Sequence, residues 1–121
     1  MATLEIPRSE WISFFDSFNT RHRGWLVTME IMSPDLGDQV EVRDLPLEGI
    51  KAELGEGNDE FEITVGDEAD QHLSRTIVGT HKVWLKRNDE GADEALEIEA
   101  KTEKVLLLLR VAVSTGRSTA S

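Results

Sequence analysis

The chain has 121 residues, with 24 Asp and Glu against 13 Lys and Arg, a net charge of −11, and no cysteine. That length is one ordinary domain, able to bury about two-thirds of its unfolded surface without a metal or disulfide staple. The missing thiols exclude cysteine catalysis, disulfides and cysteine-held zinc or iron–sulfur centres, and the acidity sets the chain against phosphate backbones and anionic lipid, so neither nucleic acid nor membrane is an expected partner.

The excess of acid reads as solubility or as adaptation to salt. No apolar run approaches the ~20 residues of a bilayer-spanning helix; the longest, Val105 to Leu109, is strand-sized. The first five residues carry no basic stretch followed by an apolar one, so no secretory leader is expected and the cytoplasm is the expected location.

Pro7 suits a first helical turn, where its missing N–H costs nothing. Trp11, Phe14, Phe15 and Phe18 then recur at i, i+3, i+4 and i+7, one face of a helix. Arg21, His22 and Arg23 place positive charge where the C-terminal end of the dipole favours it, and Gly24 is a natural residue beyond the last turn. The spacing predicts a helix from about Pro7 to His22.

After Gly24 the apolar period changes from about 3.6 to 2. Strands are predicted at Trp25–Met32, Gln39–Leu45, Gly49–Leu54, Glu60–Val65, His72–Val78, His81–Arg87, Ala95–Glu99 and Val105–Val113. Pro46, which has no N–H, is expected to interrupt a ladder, and Gly55-Glu56-Gly57-Asn58-Asp59 has the composition of a hairpin loop. In His81–Arg87 either Val83 and Leu85 or Trp84 faces inward.

Short alternating strands joined by short turns indicate a mainly β, α+β fold: one N-terminal amphipathic helix on an antiparallel small barrel or strongly bent sheet of about six to eight strands. A single domain is expected over residues 1–113, with 114–121 a frayed polar tail. The last strand is apolar on both faces, because Leu106 and Leu108 oppose Val105, Leu107 and Leu109. It therefore needs cover on both sides, from the helix or from a second copy of the chain.

The chain resembles a bacterial family catalogued as domain of unknown function 5335. The resemblance rests on Ile6-Pro7-Arg8 with Trp11, Phe14-Phe15-Asp16 and Phe18; on His22 with Gly24-Trp25-Leu26-Val27; and on Gln39-Val40-Glu41 with Arg43 to Ile50. It continues through Gly66-Asp67-Glu68 with His72-Leu73-Ser74, and Asp89 to Glu99. These stretches, in order, cover nearly everything up to about Arg110. The resemblance implies no activity, ligand or catalytic residue.

Candidate chemistry is sparse. No phosphate-binding, dinucleotide, nucleophile-elbow or zincin motif is present, no base and orienter flank Ser74, Thr76 or Thr80, and neither a cofactor nor a catalytic set is expected. Two acidic runs, Glu53 to Asp70 with eight acids and Asp89 to Glu99 with six, lack the spacing of a calcium loop and read as solvated faces. Arg43-Asp44-Leu45-Pro46-Leu47-Glu48-Gly49 reads as a tight corner, with Arg43 and Asp44 able to pair across it. His22 reads as support for the helix end. Arg21, Arg23, Lys82, Lys86 and Arg87 would make an anion site if the helix end meets that strand. The expected function is a non-catalytic module binding a protein partner or itself. The alternative is a small-molecule binder or hydrolytic enzyme with a pocket near Arg43, Asp44, His72 and His81, which requires those side chains to converge.

Overall fold

The computed structural model describes residues 2–66 and 72–111. Strand β1 (Ala2–Glu5) and a 3-10 turn (Arg8–Glu10) lead into helix α1 (Trp11–His22). Seven strands follow: β2 (Leu26–Ser33), β3 (Gly37–Glu53), β4 (Glu60–Val65), β5 (Leu73–Ile77), β6 (Thr80–Arg87), β7 (Asp93–Ala100) and β8 (Lys104–Arg110). All pair antiparallel, in the order β1-β6-β7-β8-β2-β3-β4-β5. The sheet is open, with β1 and β5 at its edges. One helix on a strongly bent antiparallel sheet is the expected architecture.

Three boundaries differ from expectation. Strand β1 has no alternating signal of its own; all four residues are exposed, and it exists because it completes the edge of β6. The helix opens with a 3-10 turn after Pro7, and its α-helical part begins only at Trp11. Strand β8 ends at Arg110, and the polar tail expected over 114–121 lies outside the described residues, as do 67–71.

Pro46 does not divide two strands. Strand β3 runs unbroken for 17 residues and changes partner at that point. Leu26 and Pro46 form the terminal pair with β2, and Leu47 opposite Val65 begins the pairing with β4. Proline lacks the donor that a continuing ladder would use, so it is tolerated where the ladder changes hands. The Pro46 carbonyl still accepts from Gly66 N–H at 2.7 Å. A register shift between Leu47 and Gly49 and a positive φ of 54° at Asp44 give the strand its bend.

Beyond the corner, β3 has lost β2, and its freed backbone is paired by the helix and its exit. Leu47 N–H donates to Trp25 O at 2.7 Å, and Gly24 N–H donates to Leu47 O at 2.9 Å. The Asn19 carboxamide accepts from Ile50 N–H and donates to Ile50 O, each at 2.9 Å, copying a ladder pair with one side chain. Gly24, at φ +86°, makes the exit that β2 requires.

The core lies in the bend. Across the sheet, Leu85, Leu96, Leu107, Met29 and Val42 make one continuous inner row. Trp11, Phe15 and Phe18 are buried, Phe14 is half-buried, and Trp11 and Phe15 both stand edge-on to Phe61 of β4 with centroids 5.2 Å apart. Val83 and Leu85 face inward, so Trp84 faces out. The helix rings therefore seat on the inner face, and Leu106 and Leu108 point to the other.

Two consequences follow for stability. Phe18→Ala should cost ~3–5 kcal/mol, and Phe14→Ala clearly less because its ring is only half-buried, as read from urea midpoints. Asn19→Ala, which orphans both polar groups of Ile50, should cost ~1–3 kcal/mol.

Candidate functional site

The four residues singled out from the sequence do not share one neighbourhood. Arg43 is exposed on β3. Asp44 pairs across the sheet with Arg110, Oδ1 to Nη2 at 3.0 Å, and not with Arg43, because its left-handed backbone turns it toward β2 and β8. Its own N–H donates to Thr28 Oγ1 at 3.3 Å. His72 lies 3.3 Å from Glu48 Oε2. His81 begins β6 and lines a cleft with none of the other three.

Two acids from runs that read as solvated faces turn inward. Asp93 opens β7, and its carboxylate is 4% exposed. It collects Arg21 at 2.8 Å, Arg87 at 2.9 Å and His22 Nε2 at 3.0 Å. The other nitrogen of the buried His22 ring lies 2.8 Å from the Phe18 carbonyl, so a ring protonated on both nitrogens donates to both acceptors. The helix end thus does meet β6, but the anion at the meeting point is the protein's own. Burial alone would raise the Asp93 carboxyl. Hydrogen bonds from Arg87 and Arg21, with the positive charge of Arg21 and His22, outweigh it and hold the group below the usual carboxylate range.

The second inward acid is Asp59, at the end of the β3–β4 loop. Its oxygens take Arg8 Nε at 2.6 Å and Nη2 at 2.9 Å, a two-point pair, and Gly55 N–H at 3.1 Å. The Arg8 bonds lower its carboxyl; burial opposes them, and the Gly55 N–H adds to the lowering. Arg8–Asp59 and Arg21–Asp93 join residues 51 and 72 apart in sequence, and only Arg87, six residues before Asp93, is local.

Around the Arg8–Asp59 pair lies the largest concavity described, about 580 Å³. Four segments form it: the 3-10 turn with Arg8, the loop Gly55 to Asp59, Gly79 with Thr80 and His81 at the start of β6, and Lys101 in the β7–β8 turn. Asn58 ties two of them together by accepting Gly79 N–H at 3.1 Å. Thr80 is 5% exposed, and its Oγ1 has no hydrogen-bond partner. Among the described residues, no group of three or more His, Asp and Glu side chains gathers as a metal site would require.

A second candidate surface is the outer face of β6, β7, β8 and β2. Register places Trp84, Glu97, Leu106 and Glu30 in one row and Lys86, Ala95, Leu108 and Thr28 in the next. Trp84 and Leu106 are half-buried, and Leu108 is 38% exposed. Glu97 lies between Lys86 at 3.5 Å and Lys104 at 3.8 Å, and Trp84 Nε1 donates to Glu99 at 2.7 Å. Glu97 is thus matched by two lysines of its own face.

A family model described as a family of unknown function (DUF5335) matches residues 2–115. An uncharacterized protein of Aquifex aeolicus (strain VF5) is 31% identical over 111 residues, covering 92% of this chain and 93% of its own length. No solved structure matches the chain significantly. Among the described residues no helix is long and apolar enough to cross a membrane.

The Asp93 cluster generates a pH signature. A carboxyl lowered on folding contributes stability in full above the unfolded value, about 4, and loses it as pH falls through the lower folded value. Asp93→Asn should cost ~1–3 kcal/mol at neutral pH by removing a buried acceptor. Its deficit against the wild type should narrow below about pH 4. Urea midpoints of both proteins across the acid range check this.

Proposed function

We propose, from the premise that this chain belongs to the DUF5335 family of unknown function, that it is a non-catalytic domain that associates with a second copy of itself through the outer face of β6, β7, β8 and β2. The observation that carries the reading is local charge balance on an apolar face of an otherwise strongly acidic molecule. At a net −11, two copies repel in most orientations. On this face Lys82, Lys86, Lys104 and Arg110 stand with Glu30, Glu97 and Glu99, so the repulsion is relieved where Trp84, Leu106 and Leu108 are presented.

An antiparallel sheet with one face in water normally alternates apolar and polar residues. Strand β8 breaks that rule, with Leu106 and Leu108 on the water side. The helix is committed to the inner face, so among the described residues nothing covers Leu106 and Leu108 from the outer side, and a second copy would supply that cover. A twofold pairing lays one patch on its equivalent, which suits a surface whose opposite charges alternate. The same acidity argues against nucleic acid and membrane surfaces as partners, and a cytoplasmic location is part of this reading. A single domain over residues 1–113 with a tail at 114–121 is part of this reading.

Light scattering and sedimentation of the full chain over a concentration series test it. The wild type should reach twice the monomer mass, and Leu108→Glu should weaken association at least ~tenfold, about 1.4 kcal/mol, with the melting temperature of the monomer nearly unchanged. A wild type that stays monomeric throughout overturns the reading.

A further inference from the structure

We infer that the cleft framed by Arg8, the Gly55–Asp59 loop, His81 and Lys101 is a binding site for a small oxyanion, phosphate or carboxylate in class. It lies apart from the association face and does not depend on it.

Size is the first argument. About 580 Å³ is within the range of small-molecule sites, roughly 300–1,000 Å³. The second is the state of its basic groups. In a chain where acids so outnumber bases, eight of the twelve described Arg and Lys are spent on a carboxylate: Arg8, Arg21, Lys51, Arg75, Lys86, Arg87, Lys104 and Arg110. Of the other four, Arg23, Arg43, Lys82 and Lys101, Lys101 is the one that lines this cleft, and among the described residues neither it nor His81 has an ion-pair or hydrogen-bond partner. Neither group is engaged by another described residue, yet the start of β6 and the β7–β8 turn bring them to one cleft.

The third argument is preparation. Arg8 is oriented, not loose: Nε and Nη2 are tied to Asp59 and to the Gly55 carbonyl, which fixes the plane of the guanidinium at the wall. The Lys101 stem passes over Gly79, where the missing side chain leaves it room: a Cβ at Gly79 would meet that stem at 3.1 Å, and the backbone there has φ +71°. Gly55 is equally constrained, because a Cβ would come within 2.9 Å of Asn58 O. Asp59 is matched by Arg8, so Glu56, on the exposed loop, is the one acid of the wall without an ion-pair partner among the described residues. Thr80, also at this wall, keeps a buried hydroxyl without a hydrogen-bond partner among the described residues.

Calorimetric titration of the full chain with inorganic phosphate, and separately with acetate, tests the site, at low ionic strength and neutral pH with sodium chloride as the ionic-strength reference. Expected is saturable one-to-one binding of at least one of the two anions and none of chloride, the better of the two identifying the class. Lys101→Met, which keeps the stem against Gly79, and His81→Gln should each weaken it about tenfold. Arg23→Gln, at an exposed cation outside the cleft, should leave it unchanged, as should Leu108→Glu in the association face. Circular dichroism of Lys101→Met confirms that the variant is folded. Absence of saturable binding of both anions, or binding weakened equally by Arg23→Gln, overturns the inference.

Discussion

The fold turns on a backbone that changes partner in mid-strand. At Pro46 strand β3 leaves β2 and joins β4, and the edge it frees lies in the interior, where unpaired N–H and C=O groups are costly. Helix α1 resolves this. Asn19 supplies a side-chain copy of one ladder pair to Ile50, and the chain leaving the helix supplies another to Leu47. With the helix held at that height, Trp11 and Phe15 reach Phe61, and the bend in the sheet is filled by rings. The polar pairing sets the position, and apolar burial, about 1.5–3 kcal/mol for each large side chain, supplies most of the energy.

Electrostatics pins the same helix at both ends. Before it, Arg8 reaches Asp59 in the β3–β4 loop; at its last turn, Arg21 and His22 reach Asp93 at the start of β7. Each acid is nearly closed to water and held by more than one donor, which is what lets a carboxylate remain charged there. Arg75 performs a related service for the sheet: from the edge strand β5 it binds Glu41 of β3 at 3.1 Å and Glu103 before β8 at 2.6 Å, joining the two arms across the bend.

The periodicity change at Gly24 made the helix, its aromatic stripe and most strands legible, because apolar spacing reports directly which face is buried. Strand β1 was not legible, since Ala2 to Glu5 bury nothing and are ordered only by hydrogen bonds to β6. Pro46 misled for an instructive reason: a missing donor signals a break in one ladder, and the sequence does not say that another ladder begins at the next residue. Asp59 and Asp93 were indistinguishable from the solvated acids around them, because Arg8 and Arg21 lie 51 and 72 residues away in sequence and nothing in the spacing singles out Arg87 as a partner of Asp93 over its acidic neighbours. His81 was visible as a histidine at a strand start. Its neighbours Arg8 and Lys101 were not, because a cleft built from four loops has no sequence spacing.

What the molecule does with its few cations separates its two candidate surfaces. A chain with 24 acids and 13 bases can leave a basic group without a carboxylate only where geometry keeps the acids away. On the outer face the lysines of β6 and β8 flank Glu97, so the charge is cancelled in place and the surface offers shape and apolar area. At the cleft the cancellation is partial: Asp59 consumes two donor nitrogens of Arg8, while Lys101, whose stem passes over Gly79, has an ammonium with no partner among the described residues. A cancelled face favours association that tolerates salt, since little long-range attraction is there to screen. An uncancelled ammonium beside a fixed guanidinium favours a charged ligand, whose binding weakens as salt rises. The opposite responses to ionic strength follow from the same sheet register, which sends the even-numbered lysines of β6 and β8 to the outer face and leaves Lys101 in the turn between β7 and β8.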